Sequence, residues 1–404
     1  MNRIREEYVS DRIGIAAVVY AIYCALLPLN MILNFTGITV NKYFGIVAAA
    51  FFVIDIIRER KTKLNSEYLF FILFLLWGWI SLAWTVSFAR SISQLITFTS
   101  LVLITELGLL RGFNEREIKL IKYAMIISSA FIIFFLAQNI NVSYTRMTLE
   151  SSAGAADHNG LAANIVFSLV IAVNEIKYER KKWLKIICII CTVSMSISVL
   201  LIASRGSYIA AIVSIFLYLI LERYDSPKSF TANYVIKWLL IVLIVVGIGF
   251  VIFRFVPIPA LNRLQVEHLF ENSGYGRTNL WSAALQALWD SVFRVIFGYG
   301  FGTEGYVTVI YTGIYAGIHN VYLEYWATTG IIGLTLMLIM MVRPLVYARR
   351  NKDNLSFALV VALLIICFPL GFLNNKGAWN VLMLAYIGLQ NTKPKGIEAH
   401  DRFD

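Results

Sequence analysis

Apolar residues in this chain do not alternate with polar ones. They form runs of about 18 to 22 residues, divided by short polar stretches. About 20 helical residues span the ~30 Å hydrocarbon core of a bilayer, so each run predicts a crossing helix. Twelve spans are predicted, at 13–33, 40–57, 67–85, 91–110, 120–139, 160–176, 184–203, 206–221, 235–254, 319–342, 355–373 and 377–390. The expected fold is an all-α polytopic membrane protein of about 12 transmembrane helices, a single integral domain over 1–404.

Residues 186–221 are nearly continuous and apolar. As one helix they would run about 54 Å, too long for one crossing. The interruption Ser204-Arg205-Gly206 predicts a tight turn and a helical hairpin with Arg205 at its tip. The first apolar stretch is too long for a signal-peptide core and lacks an Ala-x-Ala exit, so it is expected to be a retained span. Two loops are large, about 140–159 and 255–318. The second, between spans 9 and 10, is expected to form an extracytoplasmic subdomain. Within it Leu280, Trp281, Ala284, Leu285, Leu288 and Trp289 recur at helical spacing, which predicts an amphipathic helix suited to the membrane surface.

Composition agrees: 59% of residues are hydrophobic and 15% charged, against about 25% charged in soluble domains. The net charge of +11 has a sided distribution. Connections alternate between two sides, and all Lys and Arg fall on one of them except Lys42, Arg90, Arg146, Arg205, Arg254, Arg263, Arg277, Arg294 and Lys376. By the positive-inside rule the rich side, with both termini, is cytoplasmic. The charge is therefore a topology signal, and no nucleic-acid partner is expected. Cys188 and Cys191 have metal-pair spacing, but with no His or second Cys pair nearby they read as apolar helix residues.

The few outer cations are the candidates for chemistry. Arg205 at a hairpin tip either snorkels to lipid phosphate or pairs with an anion, and a diphosphate fits its planar fork. His319, at the start of the tenth span, is either an interfacial residue or a proton acceptor, since imidazole titrates near neutral pH. Glu324 lies about 140° away on a helix from it and is not expected to pair with it. Arg277 sits ahead of the amphipathic helix at headgroup level; Arg263 and Arg294 share its loop. Arg146, Asp157, His158 and Asn159 cluster in the other loop, where Asp157 either caps a helix or serves a site. There is no Walker loop, His-Glu-x-x-His or Asp-x-Asp. No metal or other cofactor is expected.

Three patches in order resemble the O-antigen ligase/polymerase superfamily of bacterial envelopes. They are Ala203-Ser204-Arg205-Gly206-Ser207; Gly276-Arg277 with Trp281 and Phe297-Gly298-Tyr299-Gly300-Phe301-Gly302; and His319-Asn320-Val321-Tyr322-Leu323-Glu324 with Gly330-Ile331-Ile332-Gly333. Asp157-His158-Asn159-Gly160 is similar to the family's Asp-Pro-Asn patch, with His in place of Pro. The likeness covers about 200–342; the first 140 residues match in hydropathy alone. It implies a multi-pass protein of the bacterial inner membrane that moves a glycan from undecaprenyl diphosphate to a sugar hydroxyl, without metal or nucleotide.

Mapped here, the resemblance makes Arg205, Arg277 and His319 catalytic, with Arg263, Asn320, Arg146, Asp157 and His158 binding substrate. The implied partners are the undecaprenyl-diphosphate-linked oligosaccharide, a glycan acceptor and membrane lipid, with a chain-length regulator as a further candidate. A repeat-unit polymerase for O-antigen, capsule or exopolysaccharide is the leading expectation. A ligase attaching the glycan to lipid A–core and, more distantly, a lipid-linked glycan transporter stay open.

Overall fold

The computed structural model describes residues 12–28, 40–59, 68–138, 150–151, 154–155, 157–225, 274–371 and 374–391. Its helices are α1 (Ile15–Ala25), α2 (Val40–Glu59), α3 (Leu69–Ile80, continued by a 3-10 turn at Ser81–Trp84), α4 (Phe88–Arg111), α5 (Glu115–Gln138), α6 (His158–Tyr178), α7 (Lys182–Ile202), α8 (Arg205–Asp225), α9 (Gly274–Trp289), α10 (Val292–Phe297), α11 (Glu304–Thr312), α12 (Val321–Arg350), α13 (Asn354–Cys367) and α14 (Lys376–Asn391). A two-residue ladder pairs Glu150–Ser151 antiparallel with Gly154–Ala155. Each expected span except the ninth falls on a helix; 235–254 lies outside the described residues. Helices α4, α5, α6, α7, α8 and α12 are long and apolar enough to cross a membrane, and α1, Leu69–Ala83 and α13 are shorter apolar helices. The protein is a helical membrane protein.

Burial explains why these segments are apolar all round. On α7, Cys188, Met195, Val199 and Ile202 pack inward, while Ile186, Ile189, Ile190, Val193 and Ile197 are exposed. Apolar residues on both faces fit a helix with protein on one side and lipid on the other. Helix α6 is buried almost throughout from Gly160 to Ala172 and packs on α5, α7, α8 and α13. Its Ala162, Ala163 and Ala172 let neighbours approach closely, as membrane interfaces favour.

The turn expected at Ser204-Arg205 is present, since Ala203 ends α7 with a left-handed φ of 54°. The hairpin differs from the expectation in one respect. Its arms do not pack along each other: α7 lies on α6, whereas α8 lies on α13 and α6.

At one end of the bundle, ion pairs join the connections expected to share a membrane side. Arg111 bonds Asp55 at 2.8 Å and Glu117 at 2.8 Å, Lys119 bonds Glu179 at 2.6 Å, and Arg349 bonds Asp225 at 2.9 Å. Lys177 pairs with Glu222 in the same layer. Of the helices carrying these groups, α6, α8 and α12 begin at Asp157, Arg205 and His319 or next to them.

Helix α12 is broken at Gly330, whose φ of 69° and ψ of −175° suit glycine alone. The break frees carbonyls, which must be satisfied inside the protein. The loop after α10 does this: Tyr299 N–H donates to the Ala327 carbonyl at 2.9 Å and Gly300 N–H to that of Thr328 at 2.8 Å. The Trp77 indole donates to the Thr329 carbonyl at 2.8 Å. A Cβ on Gly298 would lie 2.5 Å from the Thr328 carbonyl, so the close approach requires glycine. The glycine patches at 298–302 and 330–333 thus form a docking joint that holds the start of α12 against the loop.

Candidate active site

Four segments bring the candidate residues to one place, at the end of the bundle away from the ion pairs. Asp157 caps α6, its Oδ1 accepting from Asn159 N–H at 3.0 Å. Arg205 opens α8 straight after the turn. Arg277 lies in the first turn of α9, and His319 stands two residues before α12. The Trp281 indole on α9 donates to the Ile318 carbonyl at 3.1 Å, tying the histidine's loop to Arg277's helix. His319 itself holds a left-handed φ of 55°. Non-glycine residues rarely adopt that conformation, and such strain gathers at functional sites.

The charges feel one another. Partial burial pushes the His319 imidazole below its ordinary 6.5, Arg277 pushes it the same way, and Asp157 opposes both. Burial also weakens the proton hold of Arg277; Asp157 strengthens it and the like charge of Arg205 weakens it again. Arg277 stays charged all the same. The result is two guanidiniums forced into mutual repulsion beside a neutral imidazole, with one carboxylate among them. Like charges gathered this way are what an anion site needs. A neutral imidazole can accept a proton.

The turn after α13 organises this end. Pro369 packs so close to Gly206 that a Cβ there would strike its ring. Phe368 meets Trp281 edge-on at 5.6 Å between centroids. A Cβ on Gly160 would lie 3.6 Å from Asn375 Nδ2. One short loop therefore touches the turn of Arg205, the helix of Arg277 and the helix capped by Asp157.

Other expected residues are placed differently. Asn320 was expected to contact substrate, but it is buried and its Oδ1 accepts from Tyr322 N–H at 3.0 Å and Leu323 N–H at 3.1 Å. It caps α12 and so fixes where His319 leaves the helix. Arg294 donates to the Gly298 carbonyl at 3.0 Å and stacks over the Tyr299 ring at 4.2 Å. It braces the docking loop. His158 opens α6 beside Asp157. Arg263 and Arg146 lie outside the described residues.

The α9 stripe also departs from expectation. Ala284, Ala287 and Leu288 are buried against Tyr299, Val307, Ile318 and Ala327, with Trp281 packed alongside. Leu285 and Trp289 remain exposed. Most of the stripe faces protein because α11 and α12 cover it.

Sequence reasoning named Arg90 and Glu324 but did not foresee that Glu304 joins them at this end. Arg90 Nη2 reaches Glu304 Oε1 at 3.5 Å. Glu304 in turn lies within electrostatic reach of Glu324, in the first turn of α12. The available signal was an acidic residue inside an otherwise apolar span start.

Residues 190–338 match the O-antigen ligase family. That stretch is similar to the O-antigen ligase/polymerase superfamily. It runs from within α7 into α12 and contains Arg205, Arg277 and His319. Enzymes of that family, of the ligase or polymerase type, act on a lipid-linked glycan and an acceptor in polysaccharide biosynthesis. No curated protein matches the chain.

Proposed function

We propose that the protein transfers a glycan from undecaprenyl diphosphate to a sugar hydroxyl at the outer face of the bacterial inner membrane. The observation that carries this is the meeting of Arg205, Arg277, Asp157 and His319 within electrostatic reach. Arg205 and Arg277 hold the diphosphate and stabilise the charge that develops on it as the glycosidic bond breaks. His319 takes the proton of the attacking hydroxyl. Asp157 is the counter-charge that lets two guanidiniums sit together and steadies the imidazolium once formed.

The topology belongs to this reading: about 12 spans, both termini in the cytoplasm, and the site at the ends bearing few Lys or Arg. The lipid tail enters between helices while the diphosphate stays at headgroup level. Residues 274–318, which carry Arg277, are extracytoplasmic in this reading, and 255–273 lie outside the described residues. The reaction needs no metal and no nucleotide, because the donor is already activated as a diphosphate.

Between the two family activities we favour the repeat-unit polymerase, since surface-glycan polymerases are the broader group. Ligation to lipid A–core is the alternative, and a chain-length regulator is a candidate partner of the polymerase. The glycan profile of cells lacking the protein decides: a polymerase loss leaves single-repeat glycans. Long chains accumulating without attachment would overturn the polymerase reading in favour of the ligase.

A further inference from the structure

We propose that the cavity between the ends of α5, α6, α8 and α13 holds the phosphoethanolamine headgroup of a membrane lipid. This cavity lies in the ion-pair layer, away from the candidate active site, and the proposal does not rest on the transfer reading.

The cavity has a volume of about 400 Å³. Asn174, Glu175 and Tyr178 line it from the end of α6, Glu222 from the end of α8 and Lys122 from the start of α5. Lys352 and Asn354 close it from the turn between α12 and α13. Helices α6 and α8 are each long enough to cross a bilayer, so their ends lie at headgroup level. Tyr178, Trp183 and Tyr224 are exposed at this same end, as aromatic residues are at a membrane interface. The cavity therefore lies where lipid headgroups stand, in the inner leaflet by the topology above.

Two of its side chains point to a ligand. Asn354 is only 4% exposed, and its Oδ1 is buried with no hydrogen-bond partner. Glu222 fixes the orientation of that amide, because its Oε1 accepts from Asn354 Nδ2 at 3.2 Å. A buried acceptor without a donor costs free energy. Glu175 beside it takes both its donors on Oε1, Lys122 Nζ at 3.3 Å and Asn174 Nδ2 at 3.0 Å. Lys352 holds a left-handed φ of 57° in the turn that ends α12, where Asp353 N–H donates to the Ala348 carbonyl at 2.9 Å. Glycine is the usual residue at such a position. A lysine there bears strain and brings its side chain to the cavity, where no acceptor among the described residues pairs with it.

The chemistry selects the occupant. Both signs line the cavity, Lys119, Lys122 and Lys352 against Glu115, Glu175, Glu222 and Asp353. A phosphoglycerol headgroup would bring its negative charge among four carboxylates with no cation of its own. A phosphocholine headgroup has a cation without an N–H, so it cannot donate to Asn354 Oδ1. Phosphoethanolamine meets both needs. Its ammonium donates to Asn354 Oδ1 and Glu175, and its phosphate accepts from Lys352.

The test titrates the full chain, purified in detergent, with phosphatidylethanolamine, phosphatidylglycerol or phosphatidylcholine of identical acyl chains. Native mass spectrometry counts the bound lipid. Phosphatidylethanolamine is expected to bind about five-fold or more tightly than the other two, and K352G and E175Q each to weaken it about five-fold or more. Glycine suits the left-handed turn, so K352G keeps the fold and removes the ammonium alone. Equal or tighter binding of either other lipid, or parental affinity in both variants, overturns the proposal. Soluble glycerophosphoethanolamine binding as tightly as the lipid would assign the cavity to a free ester and overturn the lipid as its occupant. Binding is read without glycan transfer, so the result stands apart from the active-site reading.

Discussion

His319 illustrates how a backbone conformation and an electrostatic field combine at one residue. Its left-handed φ lifts it off α12, and Asn320 fixes the departure point by capping the helix. Its proton affinity is set below the ordinary value by burial and by Arg277. A base with a lowered pKa stays neutral through pH 7 and is protonated only in more acid solution. The acid limb of kcat/KM against pH is therefore expected to lie below 6.5. Asp157 raises the pKa, so D157N should move that limb to still lower pH; a limb moving upward would contradict the assignment. Replacing the cap, N320A, removes about 1 kcal/mol of helix stability. It should lower kcat more than N320D, which keeps the acceptor oxygen.

At the scale of elements, the glycine joint between α12 and the loop at 298–302 does the positioning. Gly330 has a backbone that no side chain tolerates, and a Cβ there would run into the Ile296 carbonyl. G330A is expected to cost roughly 1–3 kcal/mol or more and to lower the melting temperature in detergent. An unchanged melting point would mean the break is incidental. The joint also shows what the sequence could and could not reveal. Apolar run length located the helices, because bilayer thickness dictates it. Patches such as Phe297-Gly298-Tyr299-Gly300 were visible as motifs, but their partner was not. Hydrogen bonds between residues 299 and 327 are a property of packing, and no local periodicity encodes them. The α9 stripe was misjudged for the same reason: an amphipathic face looks alike whether lipid or α12 covers it.

At the scale of the whole molecule, charge is separated along the bundle. Ion pairs such as Arg111–Asp55 and Lys119–Glu179 cluster at one end, and Arg205, Arg277 and His319 at the other. The sidedness of Lys and Arg was legible in the sequence, and Arg205, Arg277 and His319, named there as candidates, come together in the fold. The approach of Glu324 to Gly371 was not, since the two come from distant segments. The topology predicts that a cysteine placed at exposed Tyr315 reacts with a membrane-impermeant maleimide in intact spheroplasts. One placed at Lys352 should react only after lysis. The reverse pattern would invert the orientation and place the site in the cytoplasm.

The central claim is that Arg205, Arg277 and His319 act together on a lipid diphosphate glycan. Purified protein in proteoliposomes, supplied with undecaprenyl-diphosphate oligosaccharide, tests it most directly. The account predicts glycan transfer by the parent protein and a fall of about 100-fold or more in R205A, R277A and H319A, with each variant folded in the membrane. Parental rates in R205A and H319A would contradict it.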